Sequence, residues 1–538
     1  GDSVINYIAE QNYRGFKYFT YEYMGDTING DDQTNRTVIF AFYTRIAYEL
    51  NLSTSKGIAS VGATITGSET GAVTEVTPGK AYKVKYGATV TLTHNESAGY
   101  TFSNWTQGET DVEDVSVSGN SFVMNAVNPV NLTAYATPND NTQFIVEHHF
   151  EQLDGTYRQN TGLKPNDVEE GTTDTSITVT GFVDNSITGF TYESRYETGK
   201  YVGGTWTKDE NSSLNIDGDG SKVVKLFYSR NDYAFTFNSN QANGYSDLSV
   251  TVGSVDQGDT LANITVPYEQ QVTISVTVKN GYTFEGFISS NPELIANVDK
   301  DNEGIVNSGS TYSYTFTMPA DNFTFTANIS RNTNTAFTIK YMFEKLNIQD
   351  LTGHNKYEEL TKDHPSTTGH GTTEDAVTLE LLGKLPTETG FTYVNFGYLE
   401  ADGSFSPVYI SGEGNSTVYV YFNRNTYTGT VNYLYGAGSI HENDQIKAST
   451  VIEGMRFGES EIVPVDPITG YTASDNSVTV AITEDKDFTY NVTFTPNTYD
   501  ITWDFAGGQG SAGAGNYTIE TAITLPTLTK AGYVFGGY

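Results

Sequence analysis

Apolar and aromatic side chains alternate with polar ones along most of this chain, with the period of two residues that is typical of half-buried β-strands. Residues 226–237 show the pattern clearly, because two alternating runs flank the polar tripeptide Arg230-Asn231-Asp232. The pattern predicts the last strand of one module, a link of about three residues, and the first strand of the next module. No window has a sustained 3.6-residue apolar period, so any helix is expected to be short.

The same junction pattern recurs and divides the chain into modules. Clear copies occur at residues 42–48 and 421–427, and looser copies at residues 136–144, 329–337 and 494–499. The aromatic residues that open successive modules lie 72 to 104 residues apart, which predicts a tandem array. We predict about seven modules, of which the first and the last are partial. Their predicted bounds are 1–46, 47–139, 140–231, 232–332, 333–425, 426–497 and 498–538.

A second marker occurs once in almost every module: a glycine, an aromatic residue, usually threonine, and a second aromatic residue. It begins at Gly99, Gly189, Gly281, Gly390 and Gly532, with a weaker copy at Gly470. Glycine permits the positive φ of a tight turn, and aromatic residues at i and i+2 face the same side of a strand. We interpret these aromatic residues as core residues rather than as residues that stack on a ligand.

Composition is consistent with small β-modules. Tyr (38) and Phe (29) dominate the apolar residues, Gly (53) is abundant, and Met (5) and Trp (3) are scarce. A module of this size buries only a modest core. The 538 residues include no cysteine, so the cores must depend on packing, on another kind of cross-link or on a bound ion. A cytosolic chain of this length usually carries some cysteine, and we therefore expect an extracellular location.

The charge of the chain argues against two classes of partner. Asp and Glu total 65 against 29 Lys and Arg, which gives a formal net charge of −36. Nucleic acids and anionic membrane surfaces are disfavoured, because both attract basic proteins. The acidic residues are spread along the chain, which indicates a soluble, self-repelling surface, and no apolar stretch predicts membrane insertion. Both ends fall inside predicted modules, so we expect the chain to be part of a longer protein.

The sequence predicts no active site. It lacks cysteine and a Gly-x-Ser-x-Gly motif, and its acidic residues are too scattered to nominate a catalytic pair. Calcium is the one cofactor candidate: Asp299, Asp301 and Glu303 place oxygen ligands at alternate positions before Gly304, which matches the start of a calcium loop. The downstream glutamate of such a loop is lacking. The alternative for this stretch is a polar hairpin turn rich in Asp, Asn and Gly.

The C-terminal segment resembles a known family of surface repeats. An alternating strand and a Gly-Gly turn at residues 499–508 are followed by Leu525-Pro526 and by the marker that begins at Gly532. This order closely resembles the Listeria–Bacteroides repeat, which is the internalin B-type repeat. That family prefers tryptophan where this chain has Tyr538.

The other modules resemble two related kinds of repeat. A Tyr-x-Phe-x-Met-Pro-Ala motif at residues 314–320 is similar to the divergent bacterial branch of the internalin B-type repeats, and two segments have this character, 47–139 and 232–332. An opening strand, a Gly-Phe-Thr-Tyr marker and a closing Tyr-x-Arg-Asn resemble mucin-binding-protein (MucBP-like) repeats. The segments of this second kind are 140–231, 333–425, 426–497 and the partial 1–46.

These resemblances imply small β-grasp (ubiquitin-like) or sandwich-like modules on bacterial cell-surface proteins, and no catalytic residues. We therefore expect a mainly β, elongated array that acts as a non-enzymatic stalk or adhesive segment of a large extracellular surface protein. Its partners would be glycans or proteins of a host or a neighbouring cell. One alternative is a carbohydrate- or mucin-binding array in which Trp206, within the polar stretch 203–208, stacks on a sugar ring. The other alternative is a subunit of an extracellular filament.

Overall fold

Strands make up nearly all of the regular structure, as the alternating pattern predicts. The structure, a computed structural model, describes residues 2–24, 38–67, 79–108, 115–511 and 513–538, and these residues include one α-helix, α1 (Asp2–Glu10). Contacts divide the chain into two compact units, which are described separately. The first comprises Gly1–Phe235, Thr265–Gln271 and Thr317–Asn322, and the second comprises Thr236–Ile264, Val272–Phe316 and Phe323–Tyr538.

The first unit begins with the antiparallel pair β1 (Phe16–Met24) and β2 (Val38–Arg45). The strands that follow are β3 (Ala47–Thr54), β4 (Ile58–Thr66), β5 (Tyr82–Lys85), β6 (Thr89–Glu96), β7 (Tyr100–Gln107), β8 (Ser121–Val123) and β9 (Val130–Pro138). They form one sheet in the order β5-β3-β9-β7 and another in the order β4-β6-β8. Alternate residues such as Leu50, Val90 and Leu132 are buried in one shared core, as the period-two pattern requires.

The segment 140–231 forms a single sheet within the first unit. Its strands are β10 (Thr142–Glu151), β11 (Tyr157–Gln159), β12 (Asp167–Gly171), β13 (Phe190–Val202), β14 (Thr205–Lys208) and β15 (Val223–Arg230). The order is β11-β10-β15-β13-β14, β12 also pairs with β10, and β10 and β15 are parallel. Val146, Phe150, Leu226 and Tyr228 project to one side into the core, where the chain between β12 and β13 covers them.

Residues 232–332 contribute ten strands. They are β16 (Asp232–Ser239), β17 (Tyr245–Val252), β18 (Val255–Asp256), β19 (Ile264–Pro267), β20 (Gln271–Val278), β21 (Tyr282–Ser289), β22 (Val298–Asp299), β23 (Ile305–Ser308), β24 (Thr311–Thr317) and β25 (Phe323–Arg331). In the second unit, five of them form a sheet in the order β18-β17-β20-β24-β23, and β21 pairs with both β22 and β25.

The segment 333–425 repeats the sheet of the segment 140–231. Its strands are β26 (Thr335–Glu344), β27 (Tyr357–Glu359), β28 (Thr367–Gly371), β29 (Phe391–Leu399), β30 (Phe405–Ser406) and β31 (Thr417–Arg424). The order is β27-β26-β31-β29-β30, with β28 also on β26 and with β26 and β31 parallel. Phe337, Ile339, Val418 and Val420 are among the buried core residues.

The chain ends with smaller sheets. The strands are β32 (Thr426–Tyr435), β33 (Gln445–Arg456), β34 (Ser460–Pro464), β35 (Tyr471–Ala473), β36 (Ser477–Ala481), β37 (Phe488–Pro496), β38 (Tyr499–Asp500), β39 (Gln509–Gly510), β40 (Asn516–Tyr517) and β41 (Leu528–Thr529). The sheets have the orders β33-β32-β37-β35, β34-β36, β38-β40 and β39-β41.

The link between strands at residues 230–232 is shorter than the predicted three residues. Arg230 still pairs with Phe190 in the β13–β15 ladder, and its backbone N–H donates to Glu151 Oε2 at 2.9 Å, so β15 extends through the arginine. Since β16 begins at Asp232, only Asn231 separates the two strands. The prediction placed all three polar residues in the link because polarity alone does not show which of them remain paired.

Candidate functional site

A pair of backbone hydrogen bonds, which we call the junction relay, joins successive modules. At Asn231, the backbone N–H donates to the carbonyl of Gly189 at 2.9 Å, and the carbonyl of Asn231 accepts from the N–H of Tyr268 at 2.9 Å. The Thr191 hydroxyl also donates to the side-chain oxygen of Asn231 at 2.7 Å. The glycine and the threonine belong to the second sequence marker, and Tyr268 lies beyond β19. The link residue is therefore held from both sides.

The junction relay recurs at four other places with distances of 2.8 to 2.9 Å. The residues are Gly15, Ile46 and Tyr86; Gly99, Asn139 and Thr173; Gly281, Asn332 and Thr373; and Gly390, Asn425 and Phe457. Wherever the link residue is asparagine, a marker threonine donates to its side chain, as Thr101 and Thr392 do at 2.6 Å. The two sequence markers thus meet at one structural device.

The marker glycines also allow the next module to approach closely. A Cβ at Gly189 would lie 2.1 Å from the Tyr268 ring, and a Cβ at Gly390 would lie 2.1 Å from the Phe457 ring. Both glycines have a φ of about +77° to +78°, which disfavours any other residue as well. Sequence reasoning predicted the positive φ but missed the contact, because the aromatic partner lies about 70 to 80 residues away.

Arginine side chains reinforce three of these junctions, those of Arg230, Arg331 and Arg424. The Arg230 guanidinium donates to the carbonyl of Tyr268 at 2.7 Å, to Glu269 Oε2 at 2.8 Å and to the carbonyl of Glu151 at 3.2 Å. Its carbon Cζ also lies 4.9 Å from the centre of the Phe190 ring. Arg424 makes the equivalent hydrogen bonds, to the carbonyls of Glu344 and Phe457. A planar guanidinium with several donors suits such a site better than a lysine would.

Trp206, the predicted ligand-binding residue, lies on β14 and is partly buried. It pairs across the β13–β14 hairpin with Tyr201, and the two ring centres are 5.4 Å apart. The Lys225 ammonium lies 3.8 Å from the centre of the Trp206 ring. The ring is therefore held on the sheet surface rather than displayed on a mobile loop, and its ligand-binding role stays a prediction.

The predicted calcium residues lie at the end of β22 and in the exposed turn that follows it. The turn is closed by backbone hydrogen bonds from Asn302 to Asp299 and from Gly304 to the Asn302 side chain, at 3.0 and 2.8 Å. Within the described residues, no group of three or more His, Asp or Glu side chains is placed to hold a metal ion, so Asp299, Asp301 and Glu303 are not gathered into such a group. Calcium binding there remains an untested prediction.

The structure places the adjacent histidines of β10 on opposite faces, as the strand period predicts. His148 is buried, and its ring lies 3.1 Å from Tyr228 Oη and 2.9 Å from Asp167 Oδ2. His149 faces the other side, 2.8 Å from Glu147. Burial lowers the pKa of His148, although Asp167 opposes the shift. Among the described helices, none has the length and apolar character that a membrane crossing requires.

Two parts of the chain match a known family. Residues 61–144 and 248–333 match the sequence model of the divergent InlB B-repeat domain. No curated protein matches the chain.

Three of the similar solved structures come from bacterial proteins. The Bacillus anthracis TIE protein is 9% identical, with 83% of this chain and 73% of that chain covered and a TM-score of 0.23. The type 2 repeat of the mucus binding protein MUB from Lactobacillus reuteri is 12% identical, covers 30% of this chain and 100% of that chain, and has a TM-score of 0.10. The pilus adhesin SpaC from Lactobacillus rhamnosus GG is 13% identical, with 82% and 54% covered and a TM-score of 0.21.

The TM-scores are low, so the assignment depends on the family match. The matched residues overlap the two segments in which the sequence predicted the divergent kind of repeat, 47–139 and 232–332. This chain is a tandem β-repeat protein, and its residues 61–144 and 248–333 match the divergent InlB B-repeat domain.

Proposed function

We propose that this chain is a non-enzymatic stalk segment of a large extracellular cell-surface protein, which projects or presents binding surfaces at a distance from the cell. The observation that carries the proposal is the junction relay, which recurs at five junctions with nearly constant geometry. A device repeated at five junctions between modules serves their connection rather than the chemistry of one site. Its function is to limit bending where one module meets the next.

The energy of one junction supports this role. Bending at Asn231 would break two backbone hydrogen bonds and the bond from Thr191, each of which contributes about 0.5–1.5 kcal/mol. Together they oppose bending by roughly 1.5–4.5 kcal/mol, before the Arg230 contacts are added. A junction that has lost these bonds would then be populated about 10-fold to 2,000-fold less than one that keeps them.

Small-angle X-ray scattering of the full chain tests the proposal. A compact protein of this length has a radius of gyration of about 24 Å. Modules of about 30 Å in line span on the order of 200 Å, which corresponds to a radius of gyration of about 60 Å. We expect a value near the second figure, and a value near the first would reject the stalk.

A variant tests the part that the relay plays. Insertion of Gly-Ser-Gly-Ser after Asn231 separates that residue from the Tyr268 amide and should broaden the distribution of distances in solution. The same insertion between Gly203 and Gly204, in the open hairpin turn, is the control and should leave the distribution unchanged. Equal behaviour of the two variants would show that the relay does not limit bending.

A further inference from the structure

The segments 140–231 and 333–425 share a sheet but use the face opposite the core differently. We call this face the outer face. In 140–231 it carries Glu147 and Lys225, and at the same register 333–425 has Lys340 and Tyr419. Side chains on a strand alternate between faces, and the neighbours of these residues, such as Val146, are in the core.

In the segment 333–425, the chain covers its own outer face. The connection from β26 to β27 spans residues 345–356, and its His354 lies against the face. The His354 ring stacks on Tyr398 with 5.3 Å between centres, and its Nδ1 lies 2.8 Å from Tyr421 Oη. A second buried cluster forms there from Met342, Tyr357, Leu399 and Tyr421. The chain therefore buries a large part of this outer face, while Tyr398 stays 43% exposed at its edge.

In the segment 140–231, the corresponding connection is much shorter. It comprises only residues 152–156, closed by a 2.7 Å hydrogen bond between the N–H of Gln152 and the carbonyl of Thr156, and it offers no counterpart of His354. One half of the outer face is filled by Arg195, whose guanidinium lies 3.9 Å from the centre of the Phe227 ring. The other half carries Tyr201 and Trp206.

Tyr201 and Trp206 form an aromatic pair with one side turned away from the sheet. The Lys225 ammonium lies 5.1 Å from the centre of the Tyr201 ring and 3.8 Å from that of Trp206. Lys225 is only 9% exposed, so its ammonium contacts the two rings from the side of the sheet. Tyr201 remains 44% exposed, so this aromatic surface is accessible.

Polar contacts fix the orientation of the pair. The Tyr201 hydroxyl donates to Glu147 Oε2 at 3.0 Å, and His149 Nε2 lies 2.8 Å from the same carboxylate. Burial raises the pKa of Glu147, but the bonds from His149 and Tyr201 and the charge of Lys225 outweigh burial and lower it. Burial and Glu147 together raise the pKa of Tyr201 to about 12, so the hydroxyl remains a donor at neutral pH.

A buried lysine holds the base of the hairpin that carries both rings. The Lys222 side chain is 2% exposed, and its ammonium lies 2.7 Å from Asp209 Oδ2 and 3.3 Å from Asp217 Oδ2. Asp209 directly follows β14, so this contact fixes the strand that bears Trp206. The register of 333–425 places Ser416 at the position of Lys222. The contact of Lys222 with the two aspartates and the aromatic pair of Tyr201 and Trp206 thus occur in the same segment.

The charges around the pair favour an uncharged ligand. Lys208 is 2.9 Å from Glu197, Arg195 is 2.8 Å from Glu193, and Lys225 is covered by the rings. An anionic ligand would have to displace one of these carboxylates. A neutral pyranose avoids that cost, because its C–H face stacks on an aromatic ring while its hydroxyls bond to charged groups at the edge.

We propose that the outer face of the segment 140–231 is a binding site for a neutral saccharide, with a pyranose ring stacked on Trp206 and Tyr201. Lys208 and Glu197, at the rim, bond to its hydroxyls. The site goes beyond the stalk role and does not depend on it, since a flexible chain would bind equally well.

The full chain is tested on an array that carries matched neutral, sialylated and sulfated oligosaccharides, and the strongest neutral ligand is then titrated by calorimetry. Trp206→Ala and Tyr201→Ala should each weaken binding by about tenfold or more, as expected when a stacking ring is removed. Trp206→Phe keeps a ring and should retain most of the affinity. Tyr409→Ala removes an aromatic residue that is 61% exposed in the segment 333–425, and it should bind like the unchanged protein.

Three results would overturn the proposal: no binding to any neutral oligosaccharide, binding only to sialylated or sulfated ones, or binding that Trp206→Ala leaves unchanged. Circular dichroism and the melting temperature of each variant show that a loss of binding does not come from unfolding. The stalk proposal is judged by scattering and is unaffected by any of these results.

Discussion

Replacing Gly189 by alanine should loosen the junction between the segments 140–231 and 232–332. The new Cβ would lie 2.1, 2.4 and 2.5 Å from three carbons of the Tyr268 ring, so the ring must move. The φ of +78° costs an alanine about 1–2 kcal/mol, and the overpacking costs about 1–3 kcal/mol more. Relief of the clash requires Tyr268 to withdraw, which also breaks its hydrogen bond to Asn231.

Hydrogen exchange followed by mass spectrometry measures this effect at the Tyr268 amide. A cost of about 1–3 kcal/mol at the contact corresponds to a loss of protection of about 5- to 140-fold. Gly204→Ala is the matched control, since Gly204 has a φ of +82° but open space around its Cβ position. It should destabilise the hairpin by the backbone cost alone and leave the Tyr268 amide protected.

A double-mutant cycle separates the clash from the backbone strain. In a Tyr268→Ala background the ring is absent, so Gly189→Ala should cost only the backbone part, about 1–2 kcal/mol. The reasoning would be refuted if Gly189→Ala left the Tyr268 amide fully protected in the otherwise unchanged protein. It would also be refuted if the cost were the same with and without the ring.

Two further changes probe the same segment. Arg230→Gln removes charged hydrogen bonds from a side chain that is 9% exposed, so the free energy of unfolding should fall by about 2–3 kcal/mol and lower the denaturation midpoint. Arg158→Gln is the control: its side chain is exposed and lies 3.7 Å from Asp154, so it should cost less than about 1 kcal/mol. Equal losses in the two variants would contradict the role of Arg230 at the junction. His148 has a pKa below its usual value of about 6.5, so the unfolded chain binds more protons and stability should fall as the pH drops from about 7 to 5. His148→Gln should make the stability of β10, measured by hydrogen exchange, depend less on pH, whereas His441→Gln, which changes an exposed histidine, should have no such effect. The same pH dependence in both variants would refute the role given to His148.

Much of the local structure follows from the sequence because it depends on neighbouring residues. The period-two pattern predicted the strands, and glycine at the marker position predicted the positive φ, because these depend on backbone geometry within a few residues. The divergent repeats were also recognisable, as their motif at residues 314–320 lies within a matched stretch. Even the opposite faces of His148 and His149 follow from the strand period.

Contacts between distant residues required the tertiary structure. Sequence reasoning treated the Arg-Asn marker and the glycine marker as separate features, and only the fold shows that Gly189 and Asn231 bond to each other and to Tyr268. The bounds given for the modules stay predictions.

The sequence by itself therefore determined that this protein is a series of β-modules joined strand to strand, because alternation and turn chemistry are local properties. The tertiary structure decided how the joints are held and which face of a repeated sheet is open. Trp206 illustrates the difference: its polar neighbours suggested exposure, yet Lys225, near in space and 19 positions away in the chain, fixes its ring against the sheet. The physical reason is that packing depends on residues that folding brings together, and a periodic pattern does not specify which residues those are.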